Sequence, residues 1–118
     1  MSRRLPRFDA ETVRQRLLTQ REMLQADSAT AAVTRVTVDL DQAGRGSPAR
    51  MEALQLQAMA QAEETRRKVA LRRITTALER LEAGEYGYCV ACEEPISAGR
   101  LEADPAVPTC IGCASRQG

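Results

Sequence analysis

The 36 residues from Pro48 to Ala83 contain no glycine and, after Pro48 itself, no proline. They are rich in Ala, Leu, Gln, Glu and Arg, the residues that lose least on entering a helix. Ser47-Pro48 opens the run with a capping residue followed by a proline at the first helical position, and Gly84 closes it as a C′ residue. The segment predicts one helix of roughly 54 Å at about 1.5 Å per residue. Leu71, Ile74, Leu78 and Leu81 repeat at spacings of three, four and three. Leu54, Ala58, Ala62, Thr65 and Val69 make a weaker stripe further up. A helix of this length is not stable alone in water and needs a partner along its apolar side.

The only candidate partner within the chain lies upstream. Residues 1–8 form a basic, proline-containing leader. Asp9 is placed to cap a helix, with Glu11 in the first turn complementing the helix dipole. From Ala10 to about Gln25, Val13, Leu17 and Leu24 mark one face, with Leu18 beside them. Beyond Ala26-Asp27-Ser28 the texture changes to Val33, Val36 and Val38 among Thr34, Arg35 and Thr37, a β-branched content that favours extended backbone. Asp39-Leu40-Asp41 and the flexible Gly44-Arg45-Gly46 follow. The expectation is a mainly α chain. Residues 1–84 form an antiparallel, coiled-coil-like hairpin with a tip loop at about 27–47, and residues 85–118 form a small separate module.

Composition supports that division. The apolar fraction is 43%, but Ala supplies 19 of the 51 residues counted, aromatics are 3%, and there is no Trp. Burial of large side chains contributes roughly 25 cal/mol per Å², so the core is thin. Paired helices with a metal clip suit such a chain better than one globule.

The module carries Cys89-Val90-Ala91-Cys92, then seventeen residues, then Cys110-Ile111-Gly112-Cys113. Each CxxC knuckle brings two sulfurs to one point, and two knuckles supply the four tetrahedral ligands that Zn²⁺ takes at about 2.3 Å from sulfur. Four protein ligands leave no position for water or substrate, so the expected ion is structural. Tyr86, Tyr88, Ile96, Leu101 and Val107 are the sizeable apolar groups available for a mini-core around it. Two disulfides would need an oxidising compartment. The spacing alone leaves open iron in the same four sulfurs, or a thiol switch that ejects zinc on oxidation.

Glu85-Tyr86-Gly87-Tyr88-Cys89-x-x-Cys92, Arg100-Leu101-Glu102-Ala103-x-Pro105 and Cys110-Ile111-x-Cys113 together resemble the C4-type zinc finger of the DksA/TraR family. The similarity covers about residues 47–115 well and the first helix only in kind. It implies a bacterial regulator that binds RNA polymerase by inserting a coiled coil into its secondary channel, without sequence-specific DNA contact. Some members act jointly with guanosine tetraphosphate. The family's Asp-x-x-Asp-x-Ala tip pattern, aligned without gaps on the zinc motif, falls on Gly46, Ala49 and Met51, where this chain has no acid. Asp39 and Asp41, a few residues earlier, are the candidate substitutes.

Arg66, Arg67, Lys68, Arg72 and Arg73 form a basic stretch flanked by Glu63, Glu64 and Glu79. It reads first as a solvated helix face. Alternatively Arg66, Arg67, Arg72 and Arg73 contact an acidic partner surface or a phosphate ligand. Met51, Leu54, Leu56 and Met59, in the first turns of the long helix, are core or self-association candidates. The formal charge is +1. Four zinc-bound thiolates would bring it to −1, which is not the strongly basic balance of a nucleic-acid-binding surface. There is no His, no nucleophile–base pair and no phosphate-cradling loop, so an enzyme is not expected. No apolar run approaches a membrane span, and the N-terminus lacks the apolar stretch of a signal peptide; a cytoplasmic protein is expected. The rival readings are a zinc-stapled adaptor or redox sensor with another protein partner, motivated by the missing tip acid, and a zinc ribbon that binds nucleic acid.

Overall fold

The computed structural model describes residues 9–42 and 47–117, with side chains left aside at 34–48 and 117. Four helices follow in order: α1 (Ala10–Gln42), α2 (Ser47–Ala83), α3 (Ala98–Ala103) and α4 (Ile111–Gln117). The extended pairing among the described residues is a single antiparallel bridge between Tyr88 and Pro95. Among the described residues, no helix is long and apolar enough to cross a membrane.

Both ends expected from sequence are built as their residues dictate. The Asp9 carboxylate accepts from the Thr12 backbone N–H and from the Thr12 hydroxyl, each at 2.9 Å. Those bonds, the backbone one foremost, hold its carboxyl below the usual value. At the far end of α2, Gly84 takes φ +75°. Its N–H bonds Leu81 O at 3.2 Å, and the Glu85 N–H reaches Arg80 O at 2.8 Å. This paired closure satisfies carbonyls that the helix end leaves open, and only glycine enters it without strain.

The loop expected at about 27–47 is a correction. α1 continues as helix for 33 residues to Gln42, so residues 27–42 are helical, and the extended reading of Val33, Val36 and Val38 fails. Each β-branched residue costs only tenths of a kcal/mol in a helix. No Gly or Pro interrupts the chain from Ala10 to Ala43, and propagation adds one hydrogen bond per residue. The Gly44-Arg45-Gly46 turn lies outside the described residues.

The chain divides into two compact units. One comprises residues 1–21 and 70–118, the other residues 22–69. In the first, Val13 and Leu17 of α1 and Ile74 and Ala77 of α2 are buried, together with Tyr86, Ile96, Leu101, Pro105 and Ala106 of the module. Leu71, Leu78 and Leu81 are half-buried beside them, as their spacing required. The Arg16 guanidinium of α1 donates to Glu102 O of α3 at 2.9 Å, which fixes the module against the helix pair.

In the second unit the packing face of α2 is not the one expected. Leu54, Ala58, Ala62 and Thr65 are exposed. Val69, the last residue of the expected stripe, is half-buried, as is Ala49 in the first turn; the other half-buried positions are Ala53, Ala60, Glu64 and Arg67. These last four extend the Leu71–Ile74–Leu78–Leu81 repeat backwards in alternating steps of three and four, with Gln57 filling the series. On α1 the matching series is Leu24, Ser28 and Ala31, all half-buried. The seam here is made of small and polar side chains. The Ser28 hydroxyl donates to the Glu64 carboxylate at 3.0 and 3.2 Å. Arg67 donates to the same carboxylate from Nη2 at 2.9 Å and from Nε at 3.1 Å, and its Nε also reaches the Ser28 hydroxyl at 3.2 Å.

Candidate metal centre

Residues 84–117 fold around the cysteines with little regular structure, so individual hydrogen bonds position the ligands. Gly87 is buried at φ +95°, a conformation other residues resist. It brings its carbonyl to the Ile96 N–H at 2.8 Å, closing the first loop. Within that loop the Cys89 N–H bonds Glu94 O at 2.8 Å and the Glu93 N–H bonds Cys89 O at 2.9 Å. Glu93 takes φ +65° to make the turn. The Val90 N–H reaches across to Pro108 O at 2.9 Å, tying the first knuckle to the segment before the second.

Three side chains brace this frame. The Tyr86 hydroxyl donates to Pro105 O at 2.7 Å inside the module, and burial pushes its pKa up to about 12. Arg80, from the last turn of α2, donates to Glu85 O at 3.2 Å and Tyr88 O at 3.1 Å. Arg100 of α3 donates to Thr109 O at 2.9 Å, one residue before Cys110. Of the expected mini-core, Tyr86, Ile96 and Leu101 are buried, while Tyr88 and Val107 are half-buried; Pro105 and Ala106 complete it.

The four sulfurs of Cys89, Cys92, Cys110 and Cys113 all lie within 4.8 Å of one another. The Cys92 and Cys110 sulfurs are 3.7 Å apart, and all four cysteines are free. A tetrahedron with metal–sulfur bonds of about 2.3 Å has edges of roughly 3.8 Å, so this spacing is that of ligands around one ion. The sulfurs also receive the backbone bonds of zinc knuckles: Ala91 N–H to Cys89 Sγ and Cys113 N–H to Cys110 Sγ, both at 3.4 Å. Arg116 Nη2 donates to Cys113 Sγ at 3.2 Å. Cys89 and Cys113 are buried, Cys110 is half-buried and Cys92 is exposed.

The protonation pattern fits a cation at the centre. Burial raises the Cys89 thiol, but backbone N–H groups of Cys110, Cys92 and Ala91 outweigh it and bring the pKa to about 6. The Cys113 N–H likewise lowers Cys110. At Cys92 the Glu94 N–H lowers the pKa, yet burial and the other three sulfurs outweigh it and raise the thiol to about 12. Thiols this close cannot all ionise unless a positive ion sits among them, and a coordinated metal deprotonates them outright. The set fits one structural Zn²⁺ with a closed coordination shell.

The other candidate residues are dispersed. Asp39 and Asp41 fall in the last turns of α1, with their side chains outside the described ones. Arg66, Arg72 and Arg73 are exposed on α2. Arg67 is engaged by Glu64 and Ser28, with only 15% of its side chain exposed. Sequence reasoning missed the Ser28–Glu64–Arg67 cluster, although carrying the three–four repeat of α2 back past Leu71 would have reached Arg67 and Glu64. It also missed Arg116, three residues beyond Cys113 and therefore on its side of α4.

Residues 84–117 match the prokaryotic dksA/traR C4-type zinc finger. Among curated proteins, the chain is 38% identical over 48 residues to the RNA polymerase-binding transcription factor DksA of Haemophilus influenzae, a match spanning 41% of this chain and 33% of that protein. It is 40% identical over 65 residues to DksA of Caulobacter vibrioides, across 55% of this chain and 42% of that one. The matched segments thus span well under half the length of these relatives. Among solved structures, transcription factor DksA2 from Pseudomonas aeruginosa is similar with a TM-score of 0.74 and 29% identity, over 92% of this chain and 81% of that one. With two antiparallel helices, a four-cysteine module and these likenesses in hand, residues 84–117 are a C4-type zinc finger of the dksA/traR kind, and the chain as a whole resembles a DksA-type transcription factor in its fold.

Proposed function

We propose that this protein is a transcription regulator that binds RNA polymerase through its helical hairpin, at the secondary channel, and not by reading a DNA sequence. The observation that carries the reading is the extent of the likeness to a DksA-type transcription factor, 92% of this chain at a TM-score of 0.74. That extent includes the helices as well as the zinc finger. The curated relatives are named for polymerase binding. The zinc, when bound, supplies cross-linking of four thiolates and no reactive position. The chain's own residues do the rest: Arg80 and Arg16 hold the module on the helices, and Tyr86 braces it from within.

Contact with polymerase is assigned to Asp39 and Asp41, in place of the family's tip acid, and to the exposed Arg66, Arg72 and Arg73. Arg67 leaves that group, since its guanidinium is already engaged. The test is binding of the purified protein to bacterial core RNA polymerase, with abortive transcription measured with and without guanosine tetraphosphate. An Asp39→Asn, Asp41→Asn double variant is the comparison. Binding with a transcriptional effect that the variant loses supports the full reading. Binding without effect makes the protein an occupant that competes with other factors. No binding at micromolar concentration overturns the proposal in favour of an adaptor with another protein partner.

A further inference from the structure

A Zn²⁺ ion held by four thiolates is a site of net charge −2, and each sulfur keeps lone pairs that react with electrophiles and oxidants. What the protein donates to those sulfurs therefore decides how long the ion stays. Cys89 and Cys110 each receive a backbone N–H, a neutral donor at 3.4 Å. Cys113 differs: its sulfur receives the Arg116 guanidinium at 3.2 Å. That bond carries a full positive charge and is the stronger kind.

The geometry follows from α4. Cys113 and Arg116 are three residues apart on one helix, hence on the same side of it. Cys113 is buried, while Arg116 is exposed at the rim of the module. Arg116 also sits in the last turn of α4, where any cation favours the helix dipole. A bystander role there is the competing explanation, and the two make different predictions.

We propose that Arg116 is an outer residue of the metal centre, halving its net charge and shielding the Cys113 sulfur, so that zinc retention depends on its charge. The inference concerns the zinc site alone and holds whatever partner the chain binds. It is tested on the zinc-loaded full-length chain, comparing wild type with Arg116→Gln and Arg116→Lys. Each protein is treated with N-ethylmaleimide at neutral pH while released zinc is followed with a pyridylazo dye. Mass spectrometry locates the first alkylated cysteine.

The expected result is zinc release about tenfold faster in Arg116→Gln, the lower end of what loss of an outer-shell partner does. Early adducts shift to Cys113, and Arg116→Lys falls between the two. Molar salt should narrow the gap between wild type and Arg116→Gln, because an exposed charge is screened while packing is not. If Arg116→Gln loads no zinc but Arg116→Lys does, the proposal also stands. Equal release rates in all three proteins overturn it. So does an Arg116→Lys variant as labile as Arg116→Gln, or a failure of both to load.

Discussion

Leu17 and Ile74 are 0% and 2% exposed, whereas Leu54 and Met59, on the same helix as Ile74, are 58% and 61% exposed. All the buried side chains among the described residues belong to the unit formed by residues 1–21 and 70–118. Among its described residues, the unit formed by residues 22–69 has none of that class, and Met23, Val33, Met51, Leu54, Leu56 and Met59 stand exposed on it. Two stretches of the same helices thus use different means of pairing. In the first, an apolar three–four repeat meets a zinc-ordered cap. In the second, the same repeat runs through Ala, Ser, Glu and Arg, and hydrogen bonds replace area. Apolar content alone did not decide this. Leucines off the repeat stay in water, and a Glu–Arg pair on the repeat is half-buried. Polar groups in such a seam are known for setting register more than for adding stability.

Removing the metal should have the largest effect and should fall on one unit. Chelation, or Cys113→Ser, withdraws a contribution of about 10–16 kcal/mol for sites of this kind. Hydrogen exchange should then lose protection at Val13, Leu17 and Ile74 as well as in residues 84–117. Unchanged protection at Leu17 would mean that the helix pair there stands without its cap. Next in size, Leu17→Ala should destabilise by about 2–5 kcal/mol, read from denaturant unfolding of the zinc-loaded protein.

Tyr86→Phe should cost about 1–3 kcal/mol, because the buried Pro105 carbonyl loses its donor. The sign in alkali follows from the raised pKa. The folded state keeps the phenol proton to about 12, whereas the unfolded state releases it near 10.0. This contribution is complete below 10 and disappears as the pH rises towards 12, and Tyr86→Phe should flatten that stretch of the stability curve.

Smaller effects are expected in residues 22–69. Glu64 is held below its ordinary 4.5 chiefly by its hydrogen bond from Arg67, with burial opposing and Ser28 assisting. Its contribution is present above 4.5 and is lost as the pH falls through the lowered folded value. Helix protection around Ser28 should weaken in that window, and Glu64→Gln should remove the pH dependence. Replacing Ser28, Glu64 and Arg67 together by Leu should leave stability unchanged or raise it. A large loss would show that the cluster stabilises the pair as well as setting its register. Smallest of all, Leu54→Ala and Met59→Ala should shift unfolding by no more than about 0.5 kcal/mol, as exposed positions do. A loss near that of Leu17→Ala would erase the contrast between the units.

Some of this architecture could be read directly from neighbours along the chain. Asp9 three residues before Thr12, Gly84 after Ala83, the Leu71–Leu81 repeat and the two CxxC pairs are local patterns. Capping bonds, helix periodicity and knuckle geometry depend on separations of two to seven residues. The metal followed from the cysteines because four thiolates at that spacing have few other uses in one module. Less legible was the stretch from Asp27 to Gln42. Val33, Val36 and Val38 suggested extended chain, but a propensity of tenths of a kcal/mol per residue yields to an uninterrupted helix with a partner.

Residue order alone was enough for one long helix with both its ends, for the start of a second helix at Asp9, and for the ligands of one zinc ion. Only the tertiary structure decided that α1 runs on to Gln42 and that Ala53, Ala60, Glu64 and Arg67 line the seam where Leu54 seemed the better choice. It also decided that Arg67 is engaged within the hairpin while Arg66, Arg72 and Arg73 face water, and that Arg116 reaches Cys113. The reason is physical. Caps, repeats and knuckles are settled by residues a turn or two away. Which of two faces is buried, and which charge is satisfied, depends on groups 36 residues apart, such as Ser28 and Glu64, and those meet only once the helices pair.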